Sequence, residues 1–202
     1  MKIVKISSQK VEKQIINEAI TFMAGGGVVL YPTDTLYGLG VNIFDENALK
    51  RLYDIKNRSI NKPISVCVSN MDWIPKIAWV NHETLQVISK LLPGPYTVIL
   101  KKKDCISELL TAGSENIGIR IPDNDLCRKI SQKFPITTSS ANISGEETKK
   151  SVEEILEQLN NDIGMVLDAG PSKVSKPSTV IDFTVKTPSV IRKGSGDYNP
   201  GH

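Results

Sequence analysis

Residues 25–40 read GGGVVLYPTDTLYGLG, and the fold follows from them. Val28, Val29, Leu30 and Tyr31 form a short apolar run that Pro32 stops, which by length and content is a buried strand. Before it, Val11, Ile15, Ile16, Ala19, Phe22 and Met23 recur at helical spacing. Gly25, Gly26 and Gly27 close that helix, since glycine takes the backbone angles that end a helix. Behind the strand, Thr33 to Gly40 pack hydroxyls, a carboxylate and two glycines into one segment. Helix, buried strand and polar strand-end loop form the unit of an α/β sheet, where ligands bind beyond the carboxyl ends of strands.

The same alternation continues outward. Ala48, Leu49, Leu52 and Tyr53 predict a helix, and Ile64 to Val68 a strand. Leu85, Ile88, Leu91 and Leu92 share a helical face that ends at Pro93-Gly94-Pro95. Thr97 to Leu100 and Ile117 to Ile121 read as strands, Leu126, Cys127 and Ile130 as a short helix, and Ile136-Thr137-Thr138 as a further strand. Ser151 with Glu154 has the spacing of a capping box ahead of Val152, Ile155, Leu156 and Leu159. Met165 to Leu167, Thr179 to Phe183 and Ser189 to Arg192 complete the strands, the last two joined by a turn at Thr187-Pro188 that implies antiparallel pairing. The expectation is a single α/β domain over residues 1–202, with helices around one twisted sheet of mixed parallel and antiparallel strands.

Composition narrows the function. Hydrophobic residues make up 40% and charged residues 23% of 202 positions, ordinary for a globular domain and unlike a disordered or collagenous chain. No apolar run reaches the roughly 18 residues of a membrane span, and residues 1–13 lack the apolar centre of a signal peptide, so the expectation is a cytoplasmic protein without a membrane partner. Cys67, Cys105 and Cys127 are widely spaced and only His82 and His202 accompany them, so neither a zinc site nor a disulfide framework is expected. The net charge is only +3, which does not mark a nucleic-acid binder.

Basic character is carried by twenty Lys and five Arg, the latter at 51, 58, 120, 128 and 192. A scarce Arg draws notice because its planar fork binds carboxylates and phosphates bidentately. Arg120 lies inside the strand IGIRI, where it must be paired or face a cleft, since a buried unpaired charge is prohibitive. Arg192 ends the last strand, and Arg58 sits in the cationic segment KNRSINKP (56–63). Thr137 to Gly145, TTSSANISG, is the densest cluster of small hydrogen-bonding side chains. No phosphate loop of the GxxxxGK[ST] type is present, and no His is placed for a catalytic triad. These clusters imply a cleft for an anionic ligand, a nucleotide for preference, without a catalytic base.

PTDTLYGLG, Lys56-x-Arg58 with Lys62-Pro63, PGPYTVIL, IGIRIP, Ser140-x-Asn142 within SSANISG, STVID and IRKG occur in this order. As a set they resemble the YrdC-like family, over about residues 10–195. The resemblance implies a twisted α/β sheet around a basic concave cleft. It also implies L-threonylcarbamoyladenylate synthase activity, a nucleotidyltransferase reaction of L-threonine, bicarbonate or CO2, and ATP carried with Mg²⁺. The product serves the threonylcarbamoyl modification of adenosine 37 in tRNA through partner proteins of the transfer machinery.

Carried over by position, the resemblance places Thr35, Cys67, Arg120, Thr138 and Ser178 on the threonine side. It places Lys56, Arg58, Lys62, Asn116, Ser140, Asn142, Thr148 and Arg192 on the ATP side, with Lys56, Arg58, Ser140 and Asn142 nearest the chemistry. Many bacterial relatives have His near position 67 and Asn near 62, where this chain has Cys67 and Lys62. Two alternatives stay open: an RNA-binding module of the same fold, and an enzyme making another carbamoyl-adenylate, as the related domain of hydrogenase-maturation proteins does.

Overall fold

A computed structural model describes residues 1–7, 11–160, 163–172 and 176–198. The opening stretch forms the predicted unit. Helix α1 spans Lys13–Ala24 and ends at Gly25, with Gly26 in the left-handed region at φ 81°. Strand β2, Val29–Tyr31, follows fully buried.

The expected single sheet is two sheets. The first has the order β1 (Lys2–Lys5), β10 (Met165–Asp168), β2, β3 (Gly38–Gly40) and β9 (Ser139–Ser140). The second runs β12 (Ser189–Arg192), β11 (Thr179–Asp182), β6 (Tyr96–Lys102), β7 (Asn116–Arg120), β4 (Val66–Cys67) and β8 (Ile136–Thr137), with β5 (Ala78–Trp79) beside β6. Both are mixed. β1 pairs β10 and β10 pairs β2 in parallel, whereas β2 and β3 are antiparallel. β11 is parallel to β6 and antiparallel to β12, the pairing the Thr187-Pro188 turn implied.

The chain crosses from one sheet to the other at Thr138, between β8 and β9. Three bonds fasten the crossing: the Thr138 amide donates to Ser65 O at 2.8 Å, the Thr137 amide to Val41 O at 3.0 Å, and the Thr137 hydroxyl to Leu39 O at 2.9 Å. The polar loops 33–37 and 138–142 are thereby set side by side at the seam.

Strand parity sorts the core. Leu30 and Val166 join a large cluster with Leu49, Leu52, Val98 and Ile119, while Val29, Tyr31, Met165 and Leu167 join a second cluster with Ile16, Met23 and Ile130. Helices α2 (Glu46–Ile55) and α7 (Val152–Gln158) cover the large cluster; α1 and α6 (Asp125–Ile130) cover the second. Helices α3 (Ile74–Ile77), α4 (His82–Ser89) and α5 (Glu108–Thr111) complete the α-helices among the described residues. Side chains cap the starts of α2 and α4 to α7. The Asp45 carboxylate accepts the Ala48 amide at 3.0 Å, and Ser151 and Glu154 form the predicted capping box, each worth about 1 kcal/mol. No helix among the described residues is long and apolar enough to cross a membrane.

Candidate active site

The seam opens as a cleft of about 180 Å³. Its walls are hydroxyls from separate segments (Thr33 and Thr35, Ser65, Thr97, Thr138 to Ser140, Ser178) and the guanidinium groups of Arg58, Arg120 and Arg192. The three Arg that the sequence singled out thus face one space.

Arg120 ends β7, and its side chain is only 7% exposed. Nη2 donates to Asp34 Oδ1 at 2.8 Å and to Thr35 Oγ1 at 3.3 Å, while the buried Nε has no hydrogen-bond partner. The strand Arg therefore meets both sequence expectations, being paired and on the cleft wall. An unmet buried donor costs about 1–3 kcal/mol. Burial raises the Asp34 carboxyl above its ordinary range, against the opposing pull of Arg120.

Arg58 and Arg192 are held by backbone carbonyls. Arg58 Nε donates to Lys62 O at 3.1 Å and Nη2 to Pro63 O at 2.7 Å. Arg192 Nη2 donates to Ser178 O at 3.0 Å and Ser178 Oγ at 3.3 Å, and that hydroxyl pairs with Thr97 Oγ1 at 2.8 Å. Burial lowers the pKa of both guanidiniums, and for Arg192 the nearby Arg120 charge adds to it.

Lys56 lies beneath this surface, 1% exposed. Its ammonium donates to Ser140 O, to Asn142 O at 2.7 Å and to Asn142 Oδ1 at 3.4 Å. Burial, then the Arg58 charge, lowers its pKa to about 7, yet three oxygen acceptors match the three N–H bonds of the charged form. Asn142 is fully engaged, because Oδ1 also accepts Ser140 Oγ at 2.6 Å and Nδ2 donates to Ile143 O and Glu146 O. Lys56 and Asn142 shape the Ser140 turn from below.

Of the residues singled out in the sequence, Thr35, Arg58, Arg120, Thr138, Ser140, Ser178 and Arg192 line the cleft. Six others do not: Lys56 and Asn142, which lie beneath it, and Cys67, Lys62, Asn116 and Thr148. Cys67, expected on the threonine side, is fully buried in the second core cluster, its thiol 3.8 Å from Ser131 Oγ, and burial pushes that thiol up to about 12. Lys62 exposes its side chain and contributes its carbonyl to Arg58 and Tyr53. Asn116 opens β7 opposite Lys101, four residues from Arg120 and thus about 13 Å along the strand. Thr148 is half-buried in the loop before α7 and off the cleft wall. Thr97 and Ser65 line the cleft without having been singled out, and Asp34, which pairs with Arg120 from outside it, and Ser139 were read only as members of their polar loops. Asp34 had one signal, a lone carboxylate in the hydroxyl loop of a chain with an Arg inside a strand.

Two mixed sheets meeting at a hydroxyl-lined cleft with three guanidiniums define an α/β domain whose cleft is rich in positive charge. A sequence profile for the Sua5/YciO/YrdC domain, described as "Telomere recombination", matches residues 21–194, and the chain belongs to that family. It is 40% identical over 195 residues to a protein of Methanocaldococcus jannaschii named putative threonylcarbamoyl-AMP synthase, covering 96% of this chain and 93% of that one. The crystal structure of Pyrococcus abyssi Sua5 complexed with L-threonine superposes with a TM-score of 0.90 at 30% identity, over 96% of this chain and 58% of that one. The crystal structure of Escherichia coli YciO gives 0.89 at 29% identity, over 99% of both chains. This chain spans little more than half of Sua5 and nearly all of YciO.

Proposed function

We propose that the chain is an L-threonylcarbamoyladenylate synthase, joining L-threonine, bicarbonate or CO2, and ATP into threonylcarbamoyl-AMP with release of pyrophosphate. The observation that carries this reading is Arg120, a buried guanidinium with an unpartnered Nε on a hydroxyl-lined wall, sharing a cleft with Arg58 and Arg192. One guanidinium compensated by a carboxylate suits a carboxylate ligand; two held by uncharged oxygens suit a polyphosphate.

In this reading Arg120 binds the amino-acid carboxylate, and Thr35, Thr138 and Ser178 offer hydroxyls around it. The neutral threonine amine adds to CO2, forming the carbamate C–N bond and losing a proton. A carbamate oxygen then attacks the α-phosphorus in line, and the bond to the β-phosphate bridge breaks to release pyrophosphate. Displacement at phosphorus depends on positioning and charge stabilisation, so no covalent nucleophile is needed. Arg58 and Arg192 offset charge on the triphosphate and the departing pyrophosphate. Ser140 orients the nucleotide, with Lys56 and Asn142 holding its turn. Lys62 and Thr148 stand away from the cleft and contact ATP in this reading only through a rearrangement of their loops, whereas Asn116 is fixed in β7 opposite Lys101 and is given no ATP contact.

Among the described residues no group of three His, Cys, Asp or Glu side chains could hold a metal, so Mg²⁺ is assigned to the substrate, as MgATP. The product is unstable, and its proposed destination is the threonylcarbamoyl modification of tRNA adenosine 37 through partner proteins in the cytoplasm. The test is pyrophosphate release from MgATP and bicarbonate with L-threonine added or withheld. Threonine-dependent release, weak with serine, supports the reading. Threonine-independent release, or none from folded protein, sends the function to another carbamoyl-adenylate or to RNA binding.

A further inference from the structure

Arg120 is held from behind by a residue outside the cleft. The Asp34 side chain lines a second cavity, of about 260 Å³, on the far side of the Thr33–Tyr37 segment, near Pro32, Asn124 and Leu126. From there Oδ1 takes one hydrogen of Arg120 Nη2 at 2.8 Å, and Oδ2 accepts the Asp123 amide at 3.2 Å. The carboxylate thus joins the loop after β2 to the chain just beyond β7. Thr35 Oγ1 takes the other Nη2 hydrogen. With both hydrogens engaged, the guanidinium cannot turn without breaking a bond to a buried partner; the two side chains are 7% and 9% exposed.

The pairing also settles charge. Arg120 and Arg192 are near enough for the charge of one to depress the pKa of the other. A carboxylate behind Arg120, and none bonded to Arg58 or Arg192 among the described residues, distinguishes Arg120 from the other two. The compensated guanidinium suits a singly charged group, and the other two keep their charge for more.

We infer that Asp34 is a positioning residue: it fixes the plane of Arg120 for the ligand carboxylate and so sets how sharply the site distinguishes an amino acid from its carboxylate-free analogue. This rests on the proposed threonine site. The experiment titrates L-threonine and L-threoninol, which carries CH2OH in place of the carboxylate, into the full chain and its Asp34→Asn variant by calorimetry, with steady-state KM values alongside.

The wild type should prefer threonine. Asp34→Asn should weaken threonine binding about 10- to 100-fold, the scale on which a misplaced positioning group acts, and leave threoninol binding and the KM for ATP unchanged. Asp34→Glu, which restores the charge, should recover part of the preference. Asn brings an amide NH2 toward the Asp123 N–H, so Asp34→Ser carries the same expectation should Asn fail to fold. A variant that folds and keeps the wild-type preference overturns the role of Asp34 alone. A wild type that binds threonine no better than threoninol overturns the threonine reading and this inference with it.

Discussion

Arg120 and Arg58 face one cleft and are held by opposite means. Arg120 is tied to a side-chain carboxylate with both partners buried, whereas Arg58 is tied to the carbonyls of Lys62 and Pro63 near solvent. A carbonyl fixes direction and leaves the full charge to the ligand; a carboxylate fixes direction and cancels charge. The anchoring atom, more than the guanidinium itself, decides what each end of the cleft can take. It also decides what each Arg does for stability, since a buried ion pair cannot lose one member cheaply.

The comparison breaks most readily at Arg120. Arg120→Met should destabilise the protein by about 3–5 kcal/mol, because Asp34 is left buried and unpaired. Adding Asp34→Leu should return much of that stability without returning threonine binding. Urea unfolding of the single and double variants, with threonine titrations on the double, checks both statements. At the other end, Arg58→Ala should lower threonine-dependent pyrophosphate release about 100- to 1,000-fold. Its thermal stability should stay within about 1 kcal/mol of the wild type. An Arg58→Ala protein as unstable as Arg120→Met would erase the distinction.

Lys56 sharpens it through pH. Its pKa in the fold is about 7 against 10.5 in the unfolded chain, so above pH 7 the unfolded state holds more protons and stability rises with pH. The slope should approach about 1 kcal/mol per pH unit between pH 7 and 9. Lys56→Met should remove that slope, read as the urea midpoint across the range. The smallest effect belongs to Cys67. Cys67→Ala should cost about 1 kcal/mol of stability with the KM for threonine unchanged, because the thiol lies in the core and not on the cleft wall.

What was legible in the sequence was whatever local pattern determines. Apolar runs and capping residues placed β2, β6, β7, α1, α2 and α7 to within a few residues. Arg120 was read as paired or cleft-facing from its strand alone, but its partner lies 86 positions away, a distance no local pattern spans. Gly38–Gly40 and Ser139–Ser140 carry no apolar signature and are strands only because β2 and β3 offer them backbone partners. For that reason the seam, and with it the division into two sheets, stayed hidden. Cys67 was put on the threonine side by the resemblance alone, and nothing local in the sequence showed that its side chain enters the second core. Lys2–Lys5 went unread, an edge strand whose residues are mostly exposed.

The buried ammonium of Lys56 couples the cleft to protons in solution. Part of what depresses its pKa is the unscreened charge of Arg58. On the proposed function, an anion seated on Arg58 would cancel that charge and raise the pKa from about 7, so that nucleotide binding would take up protons from neutral solvent. The heat of binding near that pKa should then vary with the ionisation enthalpy of the buffer, and affinity should fall as the solution becomes more alkaline.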